Sequence, residues 1–219
     1  MHGKLSSVKI PEGDVLVLAG DVLRNFYMGA PDKDASRQLR ALEGFLGFLD
    51  RTPFRKVALI AGNHDWCFEL RGEDARKIVA MHPKTVYLED GGAIIEGVRF
   101  YGSPWQPEFC GWAFNLTRDG EALGKAWAKI PERLDVLVTH GPPFGIMDSS
   151  PSVDCHEQGD RLLLERVKIV KPRYHVFGHI HGGYGRRRIG ETEFLNVALC
   201  DERYEPVQPP QVIEVDPRQ

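Results

Sequence analysis

Seven polar residues that could carry out chemistry follow the ends of four apolar runs. They are Asp21, Asn63, His64, Asp65, His140, His179 and His181. Imidazole nitrogens, carboxylates and amide oxygens together suit borderline divalent metals such as Mn, Fe, Zn and Co. If the segment from His179 to His181 stays extended, both imidazoles point to one face. One histidine at the end of an apolar strand is usually a core residue, but four such strand ends together predict a metal centre.

The elements that must position these residues are four short apolar runs of the kind that forms buried strands. The runs are residues 14–19, 56–61, 134–139 and 174–177. In α/β sheets, the loops that follow the carboxyl ends of strands collect ligands. The sequence therefore predicts that the polar residues meet at one edge of the sheets.

Helices and shorter strands are predicted between these runs. An apolar stripe from Ala35 to Leu49, with Pro53 beyond its end, predicts the first helix. Weaker patterns predict helices at 74–81, 121–129 and 161–170. Alternating segments predict further strands at 85–88, 93–101, 193–198 and 211–215. The arginines at 186–188 are expected in a turn, as a solvated cluster or a phosphate contact. This pattern predicts an α/β fold of two packed sheets flanked by helices, in a single domain spanning residues 1–219.

The composition excludes several classes of protein. Of 219 residues, 42% are hydrophobic and 27% are charged, which is typical of a globular chain rather than a disordered or membrane-spanning one. A net charge of −3 gives no overall positive field, so we expect neither nucleic acid nor a membrane as partner. The cysteines at 67, 110, 155 and 200 form no CxxC pair, and reduced thiols in a cytoplasmic protein are expected. The oligomeric state is left open.

The order of the polar motifs resembles that of the calcineurin-like metallophosphoesterases, whose pattern is DxH, GD, GNH[DE], H and GHxH. The motifs present here are Gly20-Asp21, Gly62-Asn63-His64-Asp65, His140 and Gly178-His179-Ile180-His181. Residues 139–145 and 175–185 look like the metallophosphoesterase-domain-containing (MPPED-like) branch. The resemblance implies a two-layer β-sandwich with helices on its outer faces.

The family's first motif is incomplete in this sequence. His2 occupies its histidine position and Met1 its middle position, while the Asp and the strand that carries it have no counterpart. We expect that this form begins late and lacks the family's first strand and one metal ligand. A histidine at a frayed terminus can also be a plain surface residue.

The resemblance implies two metal sites that share Asp21. One divalent ion would take Asp21, His181 and His2. The other would take Asp21, Asn63, His140 and His179. Up to two ions are implied, drawn from Mn, Fe, Zn or Co. Such a pair lowers the pKa of a shared water, and the resulting hydroxide attacks phosphorus.

His64 and Asp65 receive the catalytic roles in the same resemblance. His64 would contact the phosphate and donate a proton to the leaving oxygen. Asp65 would support an imidazole, or else be a turn residue. The implied function is a metal-dependent phosphohydrolase, a phosphodiesterase acting on small nucleotides or similar phosphodiesters. The alternative is a nucleotide- or metal-binding protein with little turnover, because a ligand of the first site is absent. A nuclease is disfavoured by the acidic balance.

Overall fold

Strands and helices alternate along residues 1–27, 29–150 and 158–217, which are the residues that this computed structural model describes. The strands are β1 (Val15–Ala19), β2 (Lys56–Ile60), β3 (Thr85–Tyr87), β4 (Gly91–Ile95), β5 (Val98–Ser103), β6 (Gln106–Pro107), β7 (Asn115–Leu116), β8 (Val136–Thr139), β9 (Tyr174–Phe177), β10 (Gly185–Ile189) and β11 (Thr192–Asn196). The α-helices are α1 (Pro31–Asp50), α2 (Trp66–Leu70), α3 (Gly72–Ala80), α4 (Glu121–Ala128) and α5 (Arg161–Val170). Short 3-10 turns cover Leu5–Ser7 and His181–Gly183.

The strands form two main sheets that pack against each other. The first has the order β1-β2-β3 and is parallel. The second has the order β10-β11-β9-β8-β5-β4, with antiparallel pairs at its two edges and parallel pairs between them. Ala58 and Ile60 of the first sheet share an apolar core with Val136, Val138 and Val176 of the second. The predicted two-sheet α/β fold is therefore confirmed.

Helices cover the outer faces of both sheets. In α1, Leu42, Leu46 and Leu49 recur at helical spacing and are fully buried in the core that includes Leu59 of β2. Helices α4 and α5 cover the second sheet, where the buried Trp127 belongs to the core that includes strands β8 and β9. None of the helices in the described ranges is both long enough and apolar enough to span a membrane.

Two predicted segments have a different structure. Residues 93–101, predicted as one strand, belong to the hairpin β4–β5, because Glu96 and Gly97 take left-handed φ values of 47° and 80° and turn the chain. The arginines at 186–188, expected in a turn, lie in β10. There Arg186 and Arg188 both form ion pairs with Glu193 of β11. Their position is explained by this pairing across the hairpin.

A cavity of about 770 Å³ lies beside β1. Its wall includes β1, residues 210–217 and the side chains of Leu195 and Val197, and one end of it reaches His2 and Asp21. Among the described residues, β1 pairs only with β2, so its other edge faces this cavity. The prediction of a strand at residues 211–215 is wrong: these residues form no strand and line the cavity instead.

Candidate metal centre

The polar residues predicted from the sequence meet at the carboxyl ends of β1, β2, β8 and β9. Asp21 follows β1, residues 63–65 follow β2, His140 directly follows β8, and His179 and His181 follow β9. Strands β1 and β2 belong to one sheet and β8 and β9 to the other. Because the sheets pack face to face, the loops at these four ends lie together, as the sequence predicted.

Two glycines allow the loops to approach this closely. A Cβ atom on Gly62 would overlap the backbone nitrogen and Oδ1 of Asp21, and a Cβ atom on Gly20 would overlap Nδ1 of His140. Gly20 also has a φ of +88°, a conformation that side chains rarely allow. The glycines of the two motifs are therefore required by the packing of the loops that carry the polar residues.

The first set of donor atoms, which we call the Asn63 group, consists of Asp21, Asn63, His140 and His179. Oδ1 of Asn63 lies 2.8 Å from Nε2 of His140 and 3.1 Å from Nδ1 of His179. Oδ1 of Asp21 lies 3.5 Å from the same Nε2. Since Nδ1 of His140 donates to the carbonyl oxygen of Ala19 at 2.9 Å, its Nε2 carries a lone pair when the ring is neutral. Lone pairs that face each other at such distances favour a cation between them.

The second set, which we call the His2 group, consists of Asp21, His2 and His181. Nε2 of His2 lies 3.7 Å from Oδ2 of Asp21 and 3.3 Å from Nε2 of His181. Nδ1 of His181 donates to the carbonyl oxygen of Asp201 at 2.8 Å, which leaves the lone pair on Nε2. His2 is 9% exposed and its backbone N–H donates to the carbonyl oxygen of Asp21, so it is held in the site rather than at a frayed surface.

The protonation states of these side chains suit a divalent cation. Burial lowers the pKa of His179 to about 3, and burial likewise lowers the pKa values of His140, His181 and His2. Burial opposes ionisation of Asp21, but the neighbouring histidines outweigh it and hold the pKa of this carboxyl well below its ordinary value. A carboxylate, an amide oxygen and neutral imidazoles are ligands of borderline divalent metals. The residues present therefore fit a metal centre, and the ligand roles of the individual residues stay predictions.

The backbone between His179 and His181 is not the extended segment on which the prediction for these two rings depended. His179 has a left-handed φ of 66°, and His181 begins the 3-10 turn. Nδ2 of Asn196 donates to the carbonyl oxygen of Ile180 at 2.9 Å and so holds the loop between the two histidines. Both imidazoles reach the centre through this turn rather than through strand alternation.

Asp65 contacts backbone rather than an imidazole. It is fully buried, its Oδ2 accepts the N–H groups of Gly62 at 2.8 Å and Val22 at 3.2 Å, and its Oδ1 accepts that of Leu23 at 2.9 Å. Burial, with a further contribution from the charge of Asp21, raises the pKa of Asp65 to about 7. These contacts correct the prediction that Asp65 supports an imidazole. Asp65 instead ties the loop after β1 to the loop after β2.

His64 lies beside both groups, among aromatic side chains. Its ring centroid is 4.5 Å from that of Trp112 and 4.7 Å from that of His2. Tyr204 packs edge-on against His2, with 4.5 Å between the ring centroids. The ring centroid of Phe109 lies 6.2 Å from that of His179. These aromatic residues could not be predicted from the sequence as part of the site, because they lie in loops outside the motifs. His2, Asp21 and His64 also offer ligand atoms within 4.8 Å of one another.

A two-sheet α/β sandwich with imidazoles, a carboxylate and an amide at its strand ends defines a metallophosphoesterase. Residues 4–183 match the family described as "Calcineurin-like phosphoesterase", and the chain belongs to this family. Its relatives include the human protein named "Metallophosphoesterase domain-containing protein 1", which is 37% identical over a match that covers 98% of this chain and 68% of that protein. "UPF0046 protein T07D4.2" of Caenorhabditis elegans is 33% identical over 98% of this chain and 58% of that protein.

Solved structures show the same fold. One is similar with a TM-score of 0.64 at 19% identity, over 90% of this chain and 82% of that chain. The crystal structure of the Thermus thermophilus protein TT1561 is similar with a TM-score of 0.58 at 14% identity, over 85% of this chain and 77% of that chain. At these identities the likeness concerns the fold alone, and it agrees with the two-layer sandwich that the motifs implied.

Proposed function

We propose that this protein is a metal-dependent phosphodiesterase that acts on small nucleotides or similar phosphodiesters. The observation that carries the proposal is the cluster of side-chain atoms around Oδ1 of Asn63, with Nε2 of His140 at 2.8 Å and Nδ1 of His179 at 3.1 Å. Bound divalent ions would supply an activated water and positive charge against the phosphoryl oxygens. Membership of a family of phosphoesterases supports the same chemistry.

Asp21 is placed to serve both groups of donor atoms. Its Oδ1 faces His140 of the Asn63 group, and its Oδ2 faces His2 of the His2 group. The rings of His140 and His181 are fixed by hydrogen bonds from their Nδ1 atoms to carbonyl oxygens, so their Nε2 atoms are aimed at the centre. This arrangement supports two ions that share one carboxylate.

The aromatic side chains beside His64 support a nucleotide or an aryl ester as substrate. A phosphate in contact with His64 would bring its ester group next to Trp112, whose ring is 4.5 Å from that of His64. Tyr204, which is 45% exposed, offers a second ring face on the side of His2. Nucleobases stack on aromatic side chains with little dependence on the base. The site therefore suits a small nucleoside ester.

Replacing Trp112 with Ala tests this substrate class. The KM for a nucleoside p-nitrophenyl phosphate should rise about tenfold, because stacking of one base on an aromatic ring is worth about 1–3 kcal/mol. The KM for methyl p-nitrophenyl phosphate, which has no base, should change little and serves as the internal control. An equal rise in KM for both esters would contradict base recognition by Trp112.

The alternative function is a nucleotide- or metal-binding protein with little turnover. It is favoured by the His2 group, in which only Asp21 carries a negative charge and only two imidazoles add to it. The His2 group has fewer donor side chains than the Asn63 group, and fewer donors hold a cation less tightly. Metal content and turnover measured on the same sample separate the two functions.

We expect one tightly bound ion and one weakly bound ion. The Asn63 group offers four donor side chains and the His2 group three, so dialysis should remove the ion of the His2 group first. Hydrolysis should then rise steeply with added Mn²⁺ in a range where the tighter site is already full. Elemental analysis after dialysis and rate measurements test this. Two equally tight ions would contradict the prediction, and a bound ion without turnover at any Mn²⁺ concentration would favour the binding protein.

A further inference from the structure

We propose that His175 is a positioning residue of the metal centre, which holds the turn that carries His140 through a hydrogen bond to Thr139. Nε2 of His175 lies 2.8 Å from Oγ1 of Thr139, the residue directly before His140. The expected effect on metal binding is a property of the chain itself, whereas its consequence for hydrolysis rests on the proposed phosphodiesterase function.

The side chain of His175 lies on the face of β9 that is covered by helices. Leu137 of β8 is the strand partner of His175, and it belongs with Phe177 to the core that also contains residues of α4 and α5. Thr139 shares this face with Leu137, because alternate residues of a strand point to the same side. The ring of His140 instead reaches the other sheet, where Nδ1 donates to the backbone of β1. His175 therefore holds the end of β8 from the helix side, while His140 enters the metal centre from the other side.

The hydroxyl of Thr139 sets the direction of this hydrogen bond. Its Oγ1 also lies 2.8 Å from the carbonyl oxygen of Gly141, which can only accept. Because a hydroxyl has one proton, Thr139 donates to Gly141 and accepts from Nε2 of His175. The opposite direction would set two oxygens against each other and leave a buried N–H of the ring unpaired, which is costly. The ring proton of His175 therefore lies on Nε2.

Three hydrogen bonds hold the turn at residues 139–141. The bond from Thr139 to Gly141 closes the turn, and the bond from His175 anchors its first residue. The backbone N–H of Gly178 donates to the carbonyl oxygen of His140 at 2.9 Å. Thr139 and His175 are fully buried, so water does not compete for these contacts. A ligand whose backbone is fixed before an ion arrives loses less freedom on binding, so the turn favours metal binding by His140.

The ring of His175 contributes a donor rather than only apolar packing. Its centroid lies 5.0 Å from that of Phe177 and 5.7 Å from that of Phe194. Among the described residues its Nδ1 has no hydrogen-bond partner, and burial lowers the pKa of His175 to about 3. An unpaired buried acceptor costs stability, which a phenyl ring in the same place would avoid. The bond from Nε2 is therefore what histidine adds at this position.

Titration of the metal-free protein with Co²⁺, followed by visible absorption, tests the positioning role. Thr139→Val replaces the hydroxyl with a methyl group and removes the bond from His175. The ion of the Asn63 group should then bind about tenfold more weakly, as is typical when the support of a metal ligand is lost. The ion of the His2 group, to which His140 does not belong, should bind as before. Thr139→Ser keeps the hydroxyl and should restore the affinity of the unaltered protein.

Thr85→Val is the matched control for this titration. Thr85 of β3 is also buried, but among the described residues its Oγ1 has no partner, so the change removes no hydrogen bond. Its Co²⁺ affinity should equal that of the unaltered protein. Equal affinities in Thr139→Val and Thr85→Val, or a loss confined to the ion of the His2 group, would overturn the proposal.

His175→Phe separates positioning from packing, because it keeps an apolar ring and removes the donor. Co²⁺ binding by the Asn63 group should weaken about tenfold, while the free energy of unfolding of the metal-free protein should not fall. In the Thr139→Val background His175→Phe should have no further effect on Co²⁺ binding, since coupled residues do not add. A loss of stability with unchanged Co²⁺ affinity would show a purely structural role, and an equal loss of affinity in both backgrounds would show that His175 does not act through Thr139. Either result would overturn the proposal.

Nitrogen-15 spectra of the His175 ring in the metal-free protein, at neutral pH, check the direction of the bond without any variant. We expect a protonated Nε2 and an unprotonated Nδ1, and the reverse pattern would overturn the proposal. If phosphodiesters are hydrolysed, the rate lost in His175→Phe should return as added Co²⁺ fills the weakened site. If none is hydrolysed by the unaltered protein, the proposed function fails, while the Co²⁺ titrations and the spectra still decide the role of His175.

Discussion

Replacing Asp21 with Asn should abolish metal-dependent phosphodiester hydrolysis while the protein stays folded. The two carboxylate oxygens of Asp21 face different partners, with Oδ1 at 3.5 Å from Nε2 of His140 and Oδ2 at 3.7 Å from Nε2 of His2. An amide presents one oxygen and one NH₂ group and carries no charge, so one of the two groups of donor atoms must lose its oxygen ligand. A loss of less than about tenfold, or about 1.4 kcal/mol of barrier, would contradict the assignment.

His140→Ala should have a similarly large effect, because it removes an imidazole of the Asn63 group. Circular dichroism and thermal unfolding check that both variants are folded. Asp74→Asn is a matched control for charge, since Asp74 is exposed on α3 and its ion pair with Lys77 is also exposed. This control should keep full activity, and a comparable loss in it would show that the effect of Asp21 is not specific to the centre.

Replacing Asp65 with Ala should lower the free energy of unfolding of the metal-free protein by about 3 kcal/mol or more. Three backbone N–H groups, those of Val22, Leu23 and Gly62, would lose their acceptor inside the protein. Each buried donor left unpaired costs about 1–3 kcal/mol. Urea unfolding, with metal removed from both proteins, measures the difference.

Asp74→Ala is the control for this experiment, because an exposed ion pair such as that of Asp74 with Lys77 contributes little to stability. Activity should fall together with stability in Asp65→Ala, since the loops that carry Asp21 and His64 would no longer be tied together. If Asp65→Ala loses less than about 1 kcal/mol of unfolding free energy, the carboxylate does not hold these loops.

The four strand ends that carry the site could be predicted from the sequence. Buried parallel strands are apolar on both faces, so β1, β2, β8 and β9 give continuous apolar runs that are easy to recognise. The polar residues follow each run within four residues, as Asp21 follows Ala19 and His181 follows Phe177. Their convergence then follows from the packing of the two sheets against each other. The motif glycines Gly20 and Gly62 mark the same positions.

Contacts between distant loops could not be predicted in this way. Asn25 and His64 are 39 residues apart, and only the packing of α1 against the loop after β2 brings Gln38 into contact with both of them. A left-handed residue such as His179 also has no periodic signal, because its conformation is imposed by its surroundings. Residues 211–215 show the same limit: their alternation is typical of a strand, yet a strand also needs a neighbour that supplies the other half of its hydrogen bonds.

The free edge of β1 has a consequence for local stability. Within the described residues this strand is held by hydrogen bonds to β2 alone and borders the cavity, so we expect it to open more readily than β5, which is paired on both sides. Asp21 lies two residues beyond the end of β1, and an ion held by its carboxylate would resist that opening. Amide hydrogens of β1 should therefore exchange with solvent more slowly when the centre is loaded. A strand that supplies no ligand would in this way report the occupancy of the metal centre.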